Sequence, residues 1–171
     1  MKKNIIYLLL LIFINISAIP LMQIETADIN LVYYSSLHDF IIPHTLKTHH
    51  KTWGYDKGFW NYIPNEKPVY FINDFSDYGN GGATGLPQNY IMLSLAPSIN
   101  AFDMLPQTER VQMLVTHEVT HIIAMDQSNN QLKFNRKLFL GKPNTDKNHP
   151  ETVLYSYLTV PRYFAPRWYH E

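Results

Sequence analysis

The chain has 171 residues, 46% of them hydrophobic, which suffices for one domain with a real core but not for two. Lys plus Arg and Asp plus Glu both number 14, so the formal net charge is zero and we expect no nucleic-acid-binding surface. The absence of cysteine excludes disulfides and thiolate metal sites. A transition metal would therefore have to be held by histidine and carboxylate.

The N-terminal segment has the pattern of a secretory signal peptide. It starts with Met1-Lys2-Lys3 and continues as an apolar run that closes near Ala18. The run is interrupted by Asn15 and is shorter than the roughly 20 apolar residues of a membrane span. We expect residues 1–18 to be the signal peptide and residues 19–171 to form one exported domain, periplasmic or secreted.

The first half of this domain contains three runs rich in β-branched and aromatic residues, which predict strands at residues 29–34, 68–72 and 90–95. Between the first two, apolar residues at helical spacing predict a helix with Pro43 in its first turn and Gly54 at its end. His49 and His50 diverge on it by about 100°, so a solvated face is expected rather than a second metal site. The glycine-rich residues 73–85 lack the ligands of a phosphate or calcium loop and predict a surface loop.

The apolar residues 111–125 predict an amphipathic helix. Thr108 is a plausible N-cap, and Glu109 in the first turn complements the helix dipole. The residues expected on the buried stripe are Val111, Leu114, Val115, Val119 and Ile122.

This helix carries the motif His117-Glu118-Val119-Thr120-His121. At i and i+4 the two imidazoles project from one face about a turn apart, the spacing that a single metal ion needs. Glu118 lies about 100° round, where it can take a proton from a water molecule. Zinc in a catalytic site takes three protein ligands, and Asp126, about 140° from His121, cannot reach the ion. The third ligand must come from later in the chain.

Residues 127–150 are polar, with a basic and aromatic piece at 133–140. We expect this piece to be a solvated face rather than a contact with lipid headgroups. An apolar run at residues 152–160 follows, and Pro166 is typical of the first position of a new helix.

The stretch from His117 to Gln127, with Pro166-Arg167-Trp168-Tyr169-His170-Glu171 downstream, resembles the gluzincin zinc metallopeptidases, in which a Pro-x-Trp-x-x-Glu segment opens the helix that brings the third ligand. The sequence is similar in particular to exported bacterial proteins that carry such a domain ahead of a TolB-like β-propeller. This resemblance extends back to Asp74.

The resemblance implies an α+β, zincin-like fold, with a small mixed sheet packed on the metal-bearing helix. It implies that Zn²⁺ is held by His117, His121 and Glu171, with Glu118 as the general base. Glu151, which also follows a proline, is the alternative third ligand. The strand at residues 90–95 would form the sheet edge over the cleft and pair with an extended peptide or protein substrate.

Because family members continue beyond the third ligand, we expect a domain truncated at Glu171, with its C-terminal helical part incomplete and a downstream β-propeller missing. The function expected of the intact domain is zinc-dependent hydrolysis of peptide bonds. The alternative is an exported module that binds zinc or a partner without turnover. A third hypothesis is that the two histidines are purely structural, and it predicts that no metal binds.

Overall fold

The computed structural model describes residues 19–73, 75, 79–96 and 109–166. Its elements in chain order are β1 (Leu21–Glu25), β2 (Asn30–Tyr34), α1 (Ile42–Trp60), β3 (Val69–Ile72), β4 (Asn80–Thr84), β5 (Tyr90–Ser94), α2 (Arg110–Asp126), α3 (Asn130–Leu138), α4 (Glu151–Thr159) and a 3-10 helix (Pro161–Phe164). The predicted α+β class is confirmed. The predicted signal peptide, Thr108 and the segment after Pro166 lie outside the described residues.

The five strands form one mixed sheet in the order β1-β2-β3-β5-β4. Strands β2, β3 and β5 are parallel, whereas β1 and β4 run antiparallel to their neighbours at the two edges. The three predicted strands are confirmed as β2, β3 and β5, with ends shifted by one residue. Strands β1 and β4 were not predicted.

The expectation that residues 90–95 form the sheet edge is wrong. Strand β5 is hydrogen-bonded on both sides, to β3 and to β4, and β4 takes the edge. Strand β4 comes from the glycine-rich stretch that was expected to be a loop. Glycine is disfavoured in strands, but the hydrogen bonds between strands involve only backbone groups. Pairing with β5 therefore forms a strand here despite the two glycines.

One face of the sheet and the apolar stripe of α2 form the core. Residues directly opposite one another in paired strands share a face. Leu31, Tyr70, Ile91 and Ala83 therefore form one row across the sheet, and Ile72, Leu93 and Gly81 form the next. Helix α2 packs against β4, β5 and α1. The core-facing residues of α2 are Val111, Val115, Val119 and Ile122, all buried as predicted, with Leu114 half-buried beside them.

Helix α1 is longer than predicted, because it continues through Gly54 and Gly58 to Trp60 and ends at Asn61, which has a left-handed φ of 46°. Each helical glycine costs about 1 kcal/mol relative to alanine. Packing of α1 along α2 offsets that cost.

The prediction that His49 and His50 lie on a solvated face of α1 is correct for His50 and wrong for His49. His50 is exposed and pairs with Asp28 at 2.9 Å. His49 is fully buried between the helix and the sheet, with Nδ1 2.9 Å from the Tyr70 hydroxyl and Nε2 3.2 Å from the Asp28 carbonyl oxygen. Both ring nitrogens therefore have hydrogen-bond partners, so the imidazole is buried without an unsatisfied polar atom.

Helix α2 is capped by Glu109 itself. Its carboxylate accepts hydrogen bonds from the backbone N–H groups of Val111 and Gln112, each at 2.9 Å. The same carboxylate lies 2.7 Å from Nε2 of His44 on α1. Glu109 was expected inside the first turn; instead its longer side chain folds back to satisfy N–H groups that the helix leaves unpaired.

The C-terminal helices lie at the surface. Helix α3 has no buried residue, and α4 buries only Ser156 and Thr159. The 3-10 helix packs against α2 and α4. Within the described ranges, no helix combines the length and apolar character required to cross a bilayer.

Candidate metal centre

His117 and His121 converge on the outer face of α2. Their Nε2 atoms lie 2.9 Å apart, and the two rings are nearly perpendicular at 88°. Two nitrogen ligands at about 2.0–2.1 Å from one tetrahedral zinc lie about 3.3 Å from each other. The two rings therefore need to separate by only a few tenths of an ångström to share a metal ion, and the pair fits that role.

Glu118 is buried against the sheet, about 100° round the helix from His117. Its side chain is only 4% exposed, and burial raises the pKa of this carboxyl from its ordinary value to about 7. Glu118 lies between the buried stripe and the histidine face because successive residues of a helix are rotated by about 100°. A carboxyl group with a pKa near neutrality can accept and return a proton at small cost.

The edge strand β4 lies directly over Glu118 at Gly81. A Cβ atom at residue 81 would be 2.3 Å from Oε1, 2.9 Å from Cδ and 3.0 Å from Cγ of Glu118. Side-chain carbons do not approach other atoms that closely, so residue 81 has to be glycine for Glu118 to keep this position. A Cβ at the neighbouring Gly82 would meet nothing within 4 Å.

Gly81 could not be recognised as a site residue from the sequence. The two adjacent glycines were visible, but strand alternation alone does not say which of them faces a helix. The register does: Gly81 is opposite Leu93 on the core face, whereas Gly82 is opposite Met92 on the other face.

Behind Glu118, the core contains a polar pair formed by Tyr70 and His49. Burial, followed by the charges of Glu118 and Asp28, raises the pKa of Tyr70 well above its ordinary value. Burial lowers the pKa of His49 to about 4. Both groups are therefore neutral at pH 7. The carbonyl of Asp28 only accepts, so Nε2–H of His49 donates to it and Nδ1 accepts from the Tyr70 hydroxyl.

The two candidates for the third ligand are Glu171 and Glu151. Glu171 lies outside the described residues. Glu151 opens α4 at the surface, with Oε1 3.1 Å from Nδ1 of His149. Among the residues whose placement is described, no three His, Asp or Glu side chains form a group able to hold a metal, so Glu151 is not brought to the histidine pair.

Asp126 is directed away from the histidine pair, as predicted. It is fully buried and forms ion pairs with Arg136 at 2.9 Å and with Lys142 at 3.3 Å. Asn89 accepts from the Lys142 ammonium at 2.7 Å, and Glu66 also pairs with Lys142. This cluster ties the loop after α3 to the C-terminal end of α2. Composition alone did not indicate that Lys142 is buried.

Comparison of the chain with protein-family models, with curated proteins and with solved structures found no match.

Proposed function

We propose that this chain is an exported, zincin-like metallopeptidase of the gluzincin type, which uses zinc to hydrolyse peptide bonds. One observation carries the proposal. The Nε2 atoms of His117 and His121 face each other 2.9 Å apart, and the Glu118 between them in sequence is buried against the edge strand of the sheet. A structural histidine pair would not require a buried carboxylate beside it.

His117 and His121 would hold the ion. Glu171 is proposed as the third ligand on the resemblance of the segment that begins at Pro166, whereas Glu151 pairs with His149 at the surface. When bound, zinc lowers the pKa of a coordinated water towards 7 and polarises a carbonyl group.

Glu118 is the proposed general base. It accepts a proton from the attacking water and transfers it to the leaving amine. Its neighbour Gly81 keeps one side of the carboxylate covered by backbone, which restricts the rotamers open to the side chain.

The substrate is proposed to bind as an extended strand beside β4. Among the described strands, β4 pairs with β5 on one side and with no strand on the other, and an extended peptide could add to that side. A peptide in that position would run past Gly81 and hence past Glu118. This moves the proposed substrate contact from residues 90–95 to Asn80–Thr84.

The proposal is tested by metal content and hydrolysis, measured together on the chain from Ile19 onward. We expect about one zinc per chain, lost in His117→Ala. Glu118→Gln should keep the zinc and reduce cleavage of an unfolded protein substrate by at least about 10²-fold. Cleavage retained in Glu118→Gln would overturn the mechanism.

A second candidate is an exported module that binds zinc or a partner without turnover. It is favoured by α4, which buries only Ser156 and Thr159 and exposes Val153, Leu154 and Tyr157. Zinc bound at a ratio of about one per chain without any hydrolysis would support it.

A further inference from the structure

Helix α3 and the turn after it expose large apolar side chains. Phe134 and Leu138, one helical turn apart, are 64% and 63% exposed, and Leu140 is 97% exposed. Residues four apart on a helix are neighbours, so Phe134 and Leu138 lie side by side on α3. Leu140 follows in the turn directly after the helix. We call these three residues the α3 apolar stripe.

The backbone at Leu140 is also unfavourable for leucine. Its φ is +59°, in the left-handed region. Gly141 N–H donates to the Arg136 carbonyl at 2.7 Å and Leu140 N–H to the Lys137 carbonyl at 3.4 Å, the hydrogen bonds of a Schellman turn with Leu140 at the position that usually holds glycine. A glycine there would remove both the strain and the exposed side chain. Two local costs at one residue indicate a functional role for the leucine.

The stripe lies in a basic part of the chain. Between Asp126 and Asp146 there is no acidic residue and there are four cations. Two of them, Arg136 and Lys142, turn inward to Asp126. The other two, Lys133 and Lys137, are exposed one turn apart and directly precede Phe134 and Leu138. They also line, with Leu140, a cavity of about 800 Å³ beside the turn before β5.

We propose that the α3 apolar stripe docks on an anionic lipid surface. Leu140, Leu138 and Phe134 would enter the boundary between headgroups and acyl chains, while Lys133 and Lys137 contact lipid phosphates. Apolar side chains flanked by lysines on a short amphipathic helix are the pattern of interfacial binding. A protein interface is the weaker reading, since the cores of such interfaces are depleted in lysine.

This proposal departs from the solvated face expected from composition, because the structure shows that the apolar side chains of this segment are exposed together with its lysines. It is independent of the peptidase proposal, since it uses none of the residues at the histidine pair. If the protein bound no zinc, the proposal of lipid binding would be unaffected.

The absence of cysteine allows a direct test. Leu140→Cys in the chain from Ile19 onward, which contains every described element, would carry an environment-sensitive fluorophore at one position. Phe40→Cys is the matched control, because Phe40 is also an exposed apolar residue, at 78%. Phe40 follows the C-terminal end of β2, whereas Leu140 lies beside the turn at the N-terminal end of the parallel strand β5, so the two labels are at opposite ends of the sheet.

Vesicles of phosphatidylcholine with an equal part of phosphatidylglycerol should shift the emission at residue 140 to the blue and leave residue 40 unchanged. Vesicles of phosphatidylcholine alone should shift neither, and added salt should reverse the effect. No shift at residue 140 with anionic vesicles, or an equal shift with neutral ones, would overturn the proposal. A shift without vesicles that grows with protein concentration would also overturn it and assign the stripe to a second copy of the chain.

Unlabelled variants separate binding from folding. Leu140→Gly relieves the left-handed strain, so it should unfold at a higher temperature than the parent while binding anionic vesicles about tenfold more weakly. Lys133→Gln and Lys137→Gln should each weaken vesicle binding about fivefold. Unchanged vesicle binding by Leu140→Gly would contradict the insertion of this side chain.

Discussion

Gly81 of the edge strand lies directly against the carboxylate of Glu118, so that a methyl group on residue 81 would stand 2.3 Å from Oε1. This contact joins the outermost strand of the sheet to the helix that carries the histidine pair. It holds the proposed general base and the proposed substrate-binding strand in one geometry.

Gly81→Ala should therefore displace the Glu118 carboxylate without disturbing His117 and His121. We expect kcat/KM for a peptide substrate to fall about 10²-fold while the zinc content stays at the parent level. Gly82→Ala is the control, because a methyl group there meets no atom within 4 Å. Equal losses in the two variants would show that the contact with Glu118 is not what requires glycine.

His49 and Glu118 should give opposite pH dependences of stability in metal-free protein. The folded-state pKa of His49 is about 4, below its ordinary 6.5. Between those values the unfolded chain holds a proton at His49 that the folded chain does not. The free energy of unfolding contributed by this group is complete above pH 6.5 and decreases as the pH falls to 4, by about 3 kcal/mol in all.

The folded-state pKa of Glu118 is about 7, above its ordinary 4.5, so here the folded chain holds the extra proton. Its contribution to the free energy of unfolding is complete below pH 4.5 and is lost as the pH rises to 7. The two slopes cancel between pH 4.5 and 6.5.

Relative to the parent, His49→Gln should lose stability with rising pH by about 1.4 kcal/mol per unit in this range, and Glu118→Gln should gain about as much. Urea unfolding at pH 4.5, 5.5 and 6.5, with metal removed by a chelator, measures both slopes. Parallel curves for the parent and His49→Gln would contradict the neutral, buried state of His49.

Asp126 should be important for folding stability and not for metal binding. Asp126→Asn leaves the buried Lys142 ammonium and the Arg136 guanidinium without their shared carboxylate, which should cost about 3–5 kcal/mol. Asp146→Asn is the control at an exposed aspartate and should change stability by less than about 1 kcal/mol. Urea midpoints compare the two, and a midpoint of Asp126→Asn near that of the control would argue against a buried ion cluster.

Glu109 should stabilise α2 chiefly as its cap and only weakly through His44. Glu109→Ala removes the acceptor for the Val111 and Gln112 N–H groups, and we expect a loss of about 1 kcal/mol. His44→Ala removes an ion pair that is nearly half exposed and should cost a few tenths of a kcal/mol. Thermal unfolding of both variants at pH 6 provides the comparison, and a larger loss for His44→Ala would reverse this assignment.

Much of the fold could be predicted where the signal is local. Strands β2, β3 and β5 are runs of β-branched and aromatic residues, and α2 shows a continuous apolar stripe, so propensity and periodicity point the same way. Strand β4 has no such signal, because glycines carry no side chain to alternate. Helix α1 passes Gly54 because packing against α2 outweighs a local helix-breaking preference.

The sequence by itself determined that His117, Glu118 and His121 lie on one helix with the histidines on a shared face, since 3.6 residues per turn leaves no other arrangement once the helix forms. Only the tertiary structure decided that β4 and not β5 is the edge strand, that Gly81 covers Glu118, and that His49 is buried against Tyr70. Those relationships depend on strand pairing and helix packing between segments distant in the chain. No local pattern of residues specifies which backbone will lie against which side chain.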